Sequence, residues 1–327
     1  MTATRQLGVV SCIGLWAALC LGGALYASWL GYGGRSFAAT LTVFAALLAV
    51  MLLFAAPGVA DSLTARFGAG SGFLLGAAAF LAYLIYALGT NTFALSLVGG
   101  AAALVFAPLL LAASAKDRAP GAWQDYVTLA GIWVAVKFYP SRLLWPYPEG
   151  RLGYVMTVLL AVNVALAAFL LLRRLPGIGY TIGWGRHWGF FVLGSYAVFA
   201  LIAAVLGQGI GFIRFDPQWH EWKTFSMTAA GILFFTAWPE EFLFRGLLQN
   251  MLTRSMKSDL AGWCAASVLF GFSHITNQHF PNWRYVILAS IAGIFYGWTW
   301  RRSGSIFASA LVHTLVNTTW HFLFRTL

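Results

Sequence analysis

Between Phe234 and Leu247 an apolar run carries two adjacent carboxylates and an arginine, Glu240, Glu241 and Arg245. These residue types permit acid–base chemistry, and their spacing divides the work between them. Glu241 and Arg245 are i and i+4 on a helix and can pair. Glu240 points about 100° away around the helix axis, so that arginine is not directed at it. A carboxylate in a partly dry pocket, beside a second carboxylate, meets the requirement for a general base. Pro239 suits the first turn of a new helix, which would set both glutamates at its positive end. A purely structural Glu–Arg clamp explains Glu241 and Arg245 equally well, but it gives Glu240 no task.

Further polar groups lie downstream in apolar segments. His274 ends the string Phe270-Gly271-Phe272-Ser273-His274. His313 and Asn317, at i and i+4, share one face of the last apolar helix, and His321 continues that stripe. A single intramembrane histidine is ordinarily a helix–helix hydrogen-bonding group. Two histidines, an asparagine, two glutamates and an arginine between residues 240 and 317 point instead to a site. His187 and His279 lie near segment ends and His220 lies in a polar loop, so these three are read as interfacial. Glu240, His274 and His313 could supply three ligands to a zinc ion with one open position. No HExxH pair sets two histidines on one helical turn. A glutamate-activated water needs only the residues present, so no metal or other cofactor is expected, with zinc as the alternative.

The elements that hold these groups must be membrane helices. The chain has 327 residues, of which 60% are hydrophobic and 9% charged, against about 25% charged in ordinary soluble domains. A soluble fold with so few charges would expose mostly apolar surface. A soluble enzyme, a disordered chain and a disulfide scaffold are thereby excluded. The net charge of +11 does not indicate nucleic acid, because the 20 Lys and Arg are scattered in ones and twos. A span needs about 20 apolar residues. Suitable runs are 8–30, 37–60, 71–89, 92–115, 153–172, 188–207, 227–250, 284–300 and 304–324, with shorter candidates at 124–139 and 261–276. The expectation is an all-α, polytopic transmembrane bundle of roughly 9–11 spans, whose partner is the lipid bilayer. Loop arginines such as Arg173-Arg174 and Arg301-Arg302 are read as topological, collected on the inner side. The break Leu175-Pro176-Gly177-Ile178-Gly179 separates two modules. Residues 1–175 form an N-terminal membrane module of five or six spans without evident chemistry, and 180–327 form the module that carries the site. Three ionised groups at mid-membrane cost ~9 kcal/mol on the insertion scale, comparable with a domain's net stability. They must face a protein-lined cavity and satisfy one another.

These residues resemble the motifs of the CPBP family, the CAAX-protease and bacteriocin-processing group of intramembrane endopeptidases that includes the Ras-converting CAAX enzyme. Its EExxxR, FxxxH and HxxxN motifs read here as Glu240-Glu241-Phe242-Leu243-Phe244-Arg245, Phe270-Gly271-Phe272-Ser273-His274 and His313-Thr314-Leu315-Val316-Asn317, in family order. The resemblance covers roughly residues 180–327. It implies a membrane-embedded protease in which Glu240 and His274 bind and activate the attacking water, with Glu240 as general base. Glu241 and Arg245 would orient that pair. His313 and Asn317 would donate hydrogen bonds to the tetrahedral oxyanion, where preorganised donors act most strongly. Phe270 is read as packing. The implied substrate is a membrane-associated peptide or protein, lipidated or not, and a bacterial source would place the chain in the plasma (inner) membrane. A proton-coupled transporter would also bury Glu, Arg and His, but transporters repeat such residues in both halves. A non-catalytic scaffold or immunity factor on the same fold is the remaining alternative.

Overall fold

Each of the eleven apolar runs folds as helix over most of its described length in the computed structural model, which describes residues 5–138 and 141–327. Six helices are long and apolar enough to cross a bilayer: Val9–Trp29, Gly34–Leu53, Val59–Gly89, Leu95–Ser114, Gly153–Leu172 and Trp188–Gly209. The protein is an all-α, multi-pass membrane bundle. Lipid explains why: with no water to bond the backbone, a helix satisfies its own N–H and C=O groups.

The chain divides into two compact units, and the first comprises residues 6–176. Its charges are not all topological. Arg173 is buried, with its Nε 2.6 Å from Asp125 Oδ1 and its Nη2 2.9 Å from Oδ2. The same guanidinium donates to the carbonyls of Ala115, Arg118 and Ala119. Reading Arg173 as a loop charge that fixes orientation is therefore corrected: it ties the end of Leu95–Ser114 and the start of Trp123–Phe138 to its own helix. Removing one partner of a buried ion pair leaves the other charge uncompensated. Here three carbonyls still receive the guanidinium, so Asp125→Asn is expected to cost about 2–3 kcal/mol. Thermal unfolding in detergent measures it, and an unchanged midpoint would contradict this account.

The second unit contains Gly177–Leu327. Its helices are Trp188–Gly209, a long segment over 225–255, Asp259–Phe272, Trp283–Ser303 and Ile306–Leu323. The restarts have local causes. Ser258, Asn282 and Ser305 each cap a helix by accepting a backbone N–H, from Ala261, Tyr285 and Phe307 respectively. Gly304, at φ +68°, supplies the left-handed turn between the last two helices. Close helix approach depends on small residues. A Cβ placed on Gly293 would lie 2.9 Å from Ser267 Cα, so the helices Asp259–Phe272 and Trp283–Ser303 meet nearly backbone to backbone. An antiparallel ribbon closes the unit, pairing Ile213–Phe215 with Phe324–Thr326 in the register Arg214 to Arg325.

The segment 225–255 departs from expectation. No helix begins at Pro239, because the residues around it keep right-handed helical dihedrals from Ile232 to Asn250. Two wide π stretches, Leu233–Ala237 and Phe242–Gln249, flank the short α turn Trp238–Glu241. Proline lacks an N–H and its ring crowds the carbonyl four residues back. Widening the preceding turn relieves that conflict without ending the helix, and such π bulges recur at functional sites. Glu240 and Glu241 thus lie inside a helix and gain nothing from a helix N-terminus.

Candidate active site

Glu241 is bonded to three other side chains, Arg245, His313 and Ser309. It is fully buried, and Arg245, at 1% exposure, sets its Nε 3.1 Å from Glu241 Oε2. The i,i+4 pairing is as expected. The guanidinium also lies 4.2 Å from the centroid of the Phe270 ring, so its charge faces an aromatic surface as well as a carboxylate. Phe270 therefore does more than fill space: it covers the buried cation.

The other oxygen of Glu241, Oε1, lies 2.9 Å from His313 Nδ1. The last helix brings His313 there across 72 residues of sequence. Tyr296 stacks on the imidazole, with ring centroids 4.7 Å apart and planes 18° from parallel. With Nδ1 committed to Glu241, Nε2 is the nitrogen left for chemistry, and it lies 3.9 Å from Glu240 Oε2. Glu241 therefore touches both Arg245 and His313, whereas the resemblance implies that Glu241 and Arg245 orient Glu240 and His274.

His274 is set by the turn after Asp259–Phe272, two residues beyond the helix end. Its Nδ1 lies 2.8 Å from the carbonyl of Phe270 and 3.0 Å from Ser273 Oγ. A carbonyl only accepts, so Nδ1 carries the proton and donates; Nε2 then offers a lone pair. The spacing of Phe270 and His274 has this physical meaning: four residues return the ring to its own helix's carbonyl.

Glu240, His274, His313 and Asn317 line one cavity of ≈ 230 Å³. Glu240 is partly exposed to it, with 28% of its side chain accessible, whereas Glu241 is sealed at 0%. The cavity also carries Thr236, Asn277 and Tyr285. Its remaining wall is largely apolar, with Ala200, Ala203, Ala289 and Ala292 along it. His321 is not part of this lining; it is exposed, with its Nε2 3.3 Å from Glu221 Oε2. His187, His220 and His279 are exposed.

Among the described residues no three His, Cys, Asp or Glu side chains are grouped to hold a metal ion, Glu240, His274 and His313 included. Two contributors escaped the sequence reading. Ser309 reaches Glu241, and Tyr296 backs His313. The available signal for Ser309 is its place one turn before His313, on the stripe 309, 313, 317.

Residues 221–319 match the family described as Type II CAAX prenyl endopeptidase Rce1-like. The matched segment holds Glu240, Glu241, Arg245, His274, His313 and Asn317, so the resemblance carried by the motifs is borne out over that segment. No curated protein and no solved structure matches the chain.

Proposed function

We propose that this multi-pass membrane protein, matched over residues 221–319 to the CAAX endopeptidase family, hydrolyses a peptide bond of a membrane-associated or lipidated substrate. One observation carries the reading. Glu240, His274, His313 and Asn317 come from segments far apart in sequence and face a single cavity, while the Glu241–Arg245 ion pair is sealed behind it.

The steps follow from donors and acceptors. A water held between Glu240 and His274 Nε2 gives one proton to the Glu240 carboxylate as its oxygen attacks the scissile carbonyl carbon. His274 accepts a hydrogen bond from the water's other proton and so aims its lone pair. The carbonyl π electrons move onto oxygen, and that oxyanion takes hydrogen bonds from Asn317 Nδ2–H and His313 Nε2–H. His313 donates at Nε2 while also donating at Nδ1, so it acts as imidazolium. Glu241, 2.9 Å away, balances its charge. Collapse breaks the C–N bond, and Glu240 returns its proton to the departing amine. The largely apolar, alanine-bearing wall offers an apolar chain a matching surface, which supports a lipidated substrate.

The test uses purified protein in nanodiscs and a farnesylated peptide ending in a CAAX sequence. Cleavage is expected, at a rate unchanged by a metal chelator. Asn317→Ala is expected to lower kcat by roughly 10²-fold, the loss typical of one oxyanion donor. Activity that vanished with chelator and returned with zinc would move the reaction to the metalloprotease class. No cleavage of prenylated or plain peptides would leave a scaffold as the better reading.

A further inference from the structure

Glu241 has a bonding partner outside the three motifs. Ser309 brings its Oγ to 2.5 Å from Glu241 Oε2 and to 2.8 Å from the backbone carbonyl of Tyr296. Ser309 and Glu241 are both at 0% exposure. A serine inside a helix ordinarily bonds back to the carbonyl one turn earlier. Ser309 instead reaches across to two neighbouring helices, the one bearing Glu241 and Trp283–Ser303.

The hydroxyl has one proton and two lone pairs. When Glu241 is ionised, that proton goes to Oε2, and 2.5 Å lies in the range of a charge-assisted O–H···O⁻ bond. When Glu241 is protonated, its carboxyl O–H donates to Oγ, and the serine proton turns to the Tyr296 carbonyl. The same side chain therefore keeps Glu241 bonded in either charge state. Neither alanine nor an apolar residue can do so.

The consequence is geometric. Ser309 and Arg245 Nε share Oε2, which leaves Oε1 for His313 Nδ1 at 2.9 Å. The carboxylate cannot rotate about its terminal torsion without breaking one of these bonds. His313 is held in turn, with Nε2 turned toward Glu240. We propose that Ser309 is a positioning residue for peptide-bond hydrolysis, fixing Glu241 so that His313 presents Nε2 to the oxyanion. The catalytic part of this proposal rests on the protease reading; the Ser309–Glu241–His313 geometry does not.

The experiment has two arms on the full-length protein in nanodiscs. With the farnesylated CAAX peptide as probe, Ser309→Ala is expected to lower kcat about tenfold or more, with KM within twofold, and to shift the pH profile of kcat. Ser309→Thr, which keeps the hydroxyl, is expected to recover most of the rate. In the second arm, ¹⁵N-histidine NMR reads the His313 Nδ1 resonance directly. Its strong-hydrogen-bond position is expected in wild type and Ser309→Thr and lost in Ser309→Ala. Should Ser309→Ala not fold, Ser309→Cys, close in size with a weak donor, replaces it under the same expectations. Wild-type kcat in the alanine or cysteine variant, or an unmoved His313 resonance, overturns the proposal. Failure of the wild type to cleave the probe, with the His313 resonance still responding to Ser309, would fault the protease reading and leave the positioning role standing.

Discussion

Glu240→Gln is expected to purify as a folded protein and to cleave at least about 10³-fold more slowly than wild type. Glutamine keeps the shape of the side chain and removes its capacity to take a proton from water. Glu240 is partly exposed to the cavity, so the change in stability should stay within about 1 kcal/mol. Glu241 cannot replace it. That neighbour is sealed from the cavity, and both its oxygens are engaged, by His313 on one side and by Arg245 and Ser309 on the other. The measurement is a steady-state rate with thermal unfolding recorded on the same preparation. A well-folded Gln variant retaining a tenth of the wild-type rate would refute the assignment of the base. Because substrate binding survives, the same variant should also retain bound peptide for identification.

Arg245→Met carries the largest expected loss of stability. The substitution preserves bulk and contact with Phe270 while removing the charge that offsets Glu241 in a fully buried place. Breaking such a pair on one side costs about 3–5 kcal/mol, because the remaining charge stays buried without compensation. The double variant Glu241→Gln/Arg245→Met removes both charges and should regain at least half of that loss. Its activity should not return, since His313 no longer has an anion at Nδ1. Unfolding midpoints in detergent for the wild type and three variants (the third being Glu241→Gln) complete the cycle. A single Arg245→Met variant as stable as wild type would show that the ion pair does not hold the site together.

Much of this site is legible from short-range sequence. The Glu241–Arg245 pair needs only helical periodicity, and the His274 orientation needs only the four-residue return to Phe270. The helix starts at Ser258, Asn282 and Ser305 are local too, since a cap bonds within its own first turn. Other features are not local. Pro239 reads as a helix start by its own chemistry, yet the wide turn before it lets the helix run through. Arg173 reads as a loop charge until Asp125 is found beside it, 48 residues away. Ser309 carries no charge and stands among apolar neighbours, so its type alone gives no hint that a buried carboxylate needs it.

What the amino-acid order determined by itself is the solvent and the inventory. So few charges in so apolar a chain demand lipid, lipid demands helices, and the three motifs name the polar groups of the candidate site. Which carboxylate faces the cavity and which is sealed behind it was decided by tertiary structure. Helical geometry sets the angle between Glu240 and Glu241, but it does not say which neighbouring helix covers each side. Packing of the last helix puts His313 and Ser309 against Glu241 and leaves Glu240 facing the cavity. That choice gives two identical side chains different surroundings, one open to the cavity and one sealed and bonded, at positions only one residue apart.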